Sequence, residues 1–162
     1  MTYKTSLDNV TKVITLGITI LFAAIIIGQY SIIKDATASA TPIYITVGLL
    51  IIYFIVFAFR PVKYSLTADN LIVHRLFSNV KIERSKIKSV ELVDKEKLSW
   101  SVRVFGVGGF FGYFGKFANA KLGTMTWYAT RKDRIVLVKM LNNKKIILTP
   151  DEPEKFVADC NA

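Results

Sequence analysis

The sequence predicts two membrane-spanning α-helices followed by one small antiparallel β domain of about seven strands, closed by a C-terminal α-helix. Three observations predict this. Residues 13–33 read VITLGITILFAAIIIGQYSII and residues 43–59 read IYITVGLLIIYFIVFAF, both without a charge. From Val62 onward solid apolar runs give way to alternation of apolar and polar residues. The chain then ends in a Pro- and acid-rich phrase followed by a short amphipathic stretch.

The first run is long enough to cross a hydrocarbon core as a helix, which takes about 20 residues, and the second lies at the lower edge of about 17. The chain therefore divides into a helical hairpin, residues 1–60, and a water-soluble domain, residues 61–162. Lys4 and Lys12 precede the first run, and Arg60 and Lys63 follow the second. The connector, residues 34–42 (KDATASATP), carries one Lys and one Asp. Basic flanks stay cytoplasmic, so both termini are expected inside and the connector outside, in the inner cell membrane. A cleaved signal peptide is the alternative, because Ala36, Ala38 and Ala40 form a small-residue pattern after the first run. That run exceeds the about 7–15 residues of a signal core, and cleavage would still leave the tail inside. Burial of both runs as core helices is disfavoured, since a tail of this size cannot cover them. Neither run holds an ionisable group of the kind that marks a proton or ion path. Gln29 and Tyr30 are polar but lie near the outer end. The expected role of the runs is anchorage.

The tail holds 18 Lys and Arg against 10 Asp and Glu. A basic domain beside a bilayer is attracted to anionic head groups. Nucleic acid is not expected, because the basic residues are spread over several strands and no nucleic-acid motif is present. Cys160 is the only cysteine, which excludes an intrachain disulfide and favours a reducing compartment.

Val62, Tyr64 and Leu66 alternate with Lys63, Ser65 and Thr67 in a first strand, and Ala68, Asp69 and Asn70 turn the chain. Residues 71–75 form a second strand, and a turn at Phe77, Ser78 and Asn79 leads to a third with Val80 and Ile82. A fourth runs up to Asp94, and residues 95–99 read as a polar loop. Met125, Trp127 and Ala129 alternate with threonines in a further strand. Residues 135–140 and 145–149 flank Asn142-Asn143, a hairpin signal. After Pro150 and Pro153, with acids in the first turn, Phe156, Val157 and Cys160 share one helical face. Such a helix plugs the open end of a curved sheet.

Four phrases carry a family resemblance: residues 86–91 (KIKSVE), residues 103–115 (RVFGVGGFFGYFG), residues 128–130 (YAT) and residues 149–156 (TPDEPEKF). With this strand order they resemble the bacterial pleckstrin-homology-like (PH-like) domain family, in the subgroup that follows membrane helices. The resemblance covers roughly residues 62–160. It implies a membrane-tethered scaffold, not a reaction, and no cofactor. One departure matters. Phosphoinositide-binding PH domains place basic residues at the first strand–strand turn, which here is Ala68-Asp69-Asn70, short and acidic.

Residues 106–115 hold five of the nine glycines, interleaved with Phe105, Phe110, Phe111, Tyr113 and Phe114. Phe111 stands where a dinucleotide fingerprint needs its third glycine, and no Gly-Lys-Ser/Thr follows for a phosphate loop. One reading is an aromatic loop that meets the membrane interface or a partner. The preferred reading is a bulged hairpin whose rings fill the domain core. Arg103, Lys116 and Lys121, with Arg131, Lys132 and Arg134, form either an anionic-lipid or acidic-peptide contact or a solvated basic face. His74 and Cys160 are expected to be packing residues rather than a nucleophilic pair. A single His and a single Cys give no metal site, and no catalytic residue is expected.

The functional expectation is a non-enzymatic binding or scaffolding module at the cytoplasmic membrane face, acting through a protein partner or self-association. The alternatives are an anionic-lipid sensor and an accessory subunit of a membrane enzyme or transporter.

Overall fold

A computed structural model of the chain describes residues 1–34 and 40–161. Ala36 and Ala38, and with them most of the connector, lie outside the described residues. The order is β1 (Thr2–Lys4), α1 (Asn9–Ile33), α2 (Thr41–Phe59), β2 (Pro61–Leu66), β3 (Asn70–Arg75), β4 (Val80–Glu83), a 3-10 turn, β5 (Ile87–Val93), α3 (Lys95–Leu98), β6 (Val102–Gly108), β7 (Tyr113–Asn119), β8 (Gly123–Ala129), β9 (Ile135–Met140), β10 (Lys145–Leu148) and α4 (Pro153–Asn161).

Helix α1 starts four residues before the apolar run. Asp8 sets that start: its carboxylate accepts the Thr11 N–H at 2.7 Å, satisfying a donor that the first turn leaves open. The other Asp8 oxygen accepts the Lys132 N–H at 3.1 Å and so ties the helix start to the β8–β9 loop. Pro42 stands in the first turn of α2, where a missing N–H costs nothing. Inward positions on α1 (Ile14, Ile18, Phe22, Ile25) and α2 (Leu49, Tyr53, Val56) recur at three- and four-residue spacing and form the seam. Thr19 Oγ1 lies 3.3 Å from the Tyr53 hydroxyl within it.

Only 6% of either apolar window is buried. Val13, Ile20 and Ile27 on α1, and Ile51, Ile52 and Phe54 on α2, are bare. A core helix would be covered; these helices leave their apolar surface for lipid. The chain has the arrangement of a membrane protein.

Among the described residues ten strands form two sheets, one ordered β1-β2-β3-β4 and the other β5-β9-β10-β8-β7-β6. Every pairing is antiparallel except β8 with β10, which run parallel with Ile147 opposite Trp127. Strand β1 has no counterpart in the sequence reading. Three residues before a helix carry no alternation to detect, yet Tyr3 pairs with Tyr64 and is buried. Residues 95–98, expected as loop, make one helical turn that buries Leu98.

The six-stranded sheet buries both faces, so β9 reads as an almost continuous buried run rather than an alternating one. One face packs on the four-stranded sheet through Val136, Val138 and Leu148 against Tyr64, Leu71 and Val73, with Phe156 of α4 at the end. The other curls around Trp127, Phe117, Tyr113, Leu137 and Ile147, with Leu98 as its lid. Helix α4 thus plugs the sandwich as expected.

Candidate membrane-facing interface

Several connections fix the β domain to the helices, three of them at the chain junctions and the β6–β7 turn. In the first, residues 5–8 are bonded into the domain. Ser6 N–H and Oγ–H both donate to the Asp151 carboxylate, at 2.9 and 2.7 Å. Thr130 Oγ1–H donates to the Ser6 carbonyl at 2.8 Å. The second is Arg60, the single residue between α2 and β2; its extended backbone leads straight into Pro61. The third is the turn between β6 and β7.

That turn, residues 109–112, is closed by the Gly109 N–H on the Gly112 carbonyl at 2.7 Å. Gly109 and Gly112 adopt φ of 111° and 139°, conformations open to glycine. A Cβ at Gly109 would meet Ile14 Cδ1 of α1 at 2.6 Å. The Phe111 N–H donates to Thr15 Oγ1 of α1 at 2.9 Å. Phe110 lies edge-on to Phe22 and Tyr53, and Phe111 to Tyr53 and Phe57, with centroids 5.3–6.3 Å apart. The Arg60 guanidinium caps this cluster, 4.4 Å from the Phe57 ring and 5.6 Å from Phe111. Tyr53 is six residues inside the end of α2, so the turn reaches about 9 Å along the helix pair.

This splits the preferred sequence reading. Tyr113 and Phe117 do fill the domain core. Phe110 and Phe111 are buried instead against the chain's own helices, because the turn projects past the end of the sheet. Phe114 points to the opposite sheet face, toward α2. Phe105 stays 75% exposed. The glycines at the middle of the hairpin have a separate cause. Gly106 and Gly115 face each other across β6 and β7, and a Cβ on either would fall 2.3 Å from a carbonyl oxygen of the other strand.

The basic residues do not converge. Arg103 and Lys116 are exposed on β6 and β7. Lys121 lies in the β7–β8 turn, about 20 Å of strand away from the aromatic turn. Arg131 is committed inside the domain: it pairs with Asp133 at 2.6 Å and Asp151 at 3.3 Å, which raises its pKa and lowers that of Asp133. The Lys132 ammonium stands 4.7 Å over the Tyr113 ring.

Residues the sequence did not single out are placed nearer the helices. Arg75 ends β3 with its guanidinium 5.2 Å from the Phe59 ring and 5.9 Å from Tyr128. The following turn exposes Leu76 and Phe77, and the Phe77 N–H donates to the Ala58 carbonyl of α2 at 3.2 Å. Exposed apolar residues thus stand beside the end of a bare apolar helix. The available signal was an apolar pair in a turn, Leu76-Phe77, where turns are normally polar.

Between α2 and the face of β6–β8 runs a groove of about 730 Å³, floored by Phe114 and Tyr128 and walled by Ile55 and Phe59. His74 Nε2 is 2.9 Å from Ser65 Oγ on a sheet face, with no carboxylate bonded to it among the described residues. Burial and Lys63 lower its pKa. Burial pushes the Cys160 thiol up to about 11, away from thiolate chemistry. Among the described residues no three His, Cys, Asp or Glu side chains gather as metal ligands.

A family model described as bacterial PH domain matches residues 62–162. This chain belongs to the bacterial PH domain family. No curated protein and no solved structure matches it. The family is typically non-catalytic. The matched span leaves out β1, which completes the first sheet of the PH domain from across the helical hairpin.

Proposed function

We propose that the chain is a membrane-anchored binding module whose PH domain stands at the cytoplasmic face of the inner membrane and engages a protein partner or a second copy along β6. The carrying observation is the edge of the six-stranded sheet. Among the described residues strand β6 pairs only with β7, and Val102, Val104 and Phe105 are 68%, 63% and 75% exposed. Trp100, just before it, is 93% exposed. A long apolar edge without a covering element is a template for an added strand. The hairpin and its three fixed connections support a platform rather than a swinging domain, which holds the edge at a constant height above the bilayer. Basic residues on both helix flanks support the cytoplasmic orientation.

The test uses the full-length protein in native membranes. Val104→Lys charges the edge without touching the core. The variant is expected to lose the co-purifying partner or the dimer that the wild type retains. A wild type that is monomeric in mild detergent and recovers no partner from cross-linked membranes overturns the reading. Reporter fusions after Asn161 and within the connector check the sidedness.

A further inference from the structure

The groove between α2 and the sheet has a polarity that matches a phospholipid. Its wall toward the membrane is Ile55, four residues inside the end of a helix whose outer face is bare apolar surface. Through Ile55 and Phe59 it continues into a shallower depression bordered by Phe54 and the exposed Phe77, so it opens sideways onto the lipid-facing side of the helix. Val107, Phe114 and Tyr128 make its floor apolar.

Its two cations lie toward the other end. Arg75 stands beside Phe59, the last residue of α2. Its Nε and Nη2 donate to Ser78, at 2.6 and 2.8 Å, which fixes the guanidinium while Nη1 has no protein acceptor among the described residues. Lys116 is three residues along β7 from the membrane-side turn and is exposed. No Asp or Glu lines the groove. The volume of about 730 Å³ falls in the range of small-molecule sites, about 300–1,000 Å³.

We propose that this groove holds one anionic phospholipid drawn from the surrounding bilayer, an acyl chain lying along Phe114 and Tyr128 and the phosphate held by Arg75 and Lys116. Continuity with the lipid-facing helix supplies the occupant, and two lining cations without a lining carboxylate select its charge. The site is distinct from the acidic β2–β3 turn and does not rest on the β6 edge being a partner site.

The test is native mass spectrometry of the full-length protein in detergent, titrated with phosphatidylglycerol or phosphatidylcholine. The wild type is expected to retain one phosphatidylglycerol with about thirtyfold preference over phosphatidylcholine, the scale set by two basic residues near a head group at about 1 kcal/mol each. Two fillers, Val107→Trp from the floor and Ile55→Trp from the wall, are each expected to weaken retention at least about tenfold, because either ring occupies the space of a chain. Lys116→Gln lowers the preference for phosphatidylglycerol several-fold and leaves phosphatidylcholine retention unchanged. Equal retention of both lipids by the wild type, or unchanged retention in both fillers, overturns the proposal. A dimer that dissociates in the fillers while lipid stays bound gives the groove to a second copy and overturns it equally.

Discussion

Replacing Tyr64 by Phe removes one oxygen atom from the middle of the sandwich. Tyr64 is fully buried, and its hydroxyl bridges both sheets: it donates to the Tyr128 carbonyl at 2.6 Å and accepts the Thr149 N–H at 3.2 Å. Tyr128 is the last residue but one of β8 and Thr149 follows β10, so a residue five positions past the end of α2 holds the far sheet. In the variant both backbone groups lose this partner in a region closed to water. Leaving a buried group unpaired costs about 1–3 kcal/mol. The carbonyl has a second lone pair to relax with, so the expected loss is about 2–3 kcal/mol in total rather than twice the upper value. For a domain near 100 residues this lowers Tm by roughly 10 °C or more. The assay is thermal unfolding of the full-length protein in detergent, read from the fluorescence of buried Trp127. Burial raises the Tyr64 pKa above its usual 10. A raised folded-state pKa gives stability that is complete below the unfolded value and is lost as pH rises through the folded one. The gap between wild type and variant is therefore constant through neutral pH and narrows only above about pH 10. A Tm shift under about 2 °C at pH 7 would refute the bridge as a stabilising element.

Gly106→Ala is expected to destabilise by about 2–4 kcal/mol, combining a positive-φ penalty with a clash against the Phe114 carbonyl, and denaturant unfolding measures it. Cys160, with its thiol held near 11, should react with a thiol reagent at pH 8 about tenfold more slowly folded than unfolded; equal rates contradict the burial argument. A fragment of residues 61–162 should unfold at lower temperature than the same fragment joined by a short linker to residues 1–6, because β1 covers the β2 edge and places Tyr3 on Phe156. Equal melting temperatures would show that β1 adds nothing.

Much of this architecture was legible as pattern. The β2–β3 turn at Ala68-Asp69-Asn70 and the β9–β10 hairpin at Asn142-Asn143 are where turn chemistry puts them, with Asn143 at φ 62°. Helix α4 buries Phe156 as its spacing required. Other features left no trace in periodicity. Strand β1 is too short to alternate, and its pairing crosses 59 to 63 residues of chain. The insertion of β10 between β8 and β9 is a register choice that no local residue announces.

Composition also misjudged the candidate site. Arg131 looked like a surface cation, but it pairs with Asp133 two residues on and with Asp151, which only folding brings within 3.3 Å. Phe110 and Phe111 looked like core rings because small β domains need them. Their actual neighbours are on helices 54 to 88 residues earlier in the chain.

The sequence alone settled what each segment dissolves in: uncharged runs demand a surrounding of lipid, and alternating ones demand a sheet with one wet side. Those demands are local, since each residue's transfer cost is its own. Which ring meets which helix, which cation is spent on a carboxylate, and where a groove stays open toward lipid were decided by packing. Such contacts join residues distant in the chain, and their energies exist only once the whole arrangement closes.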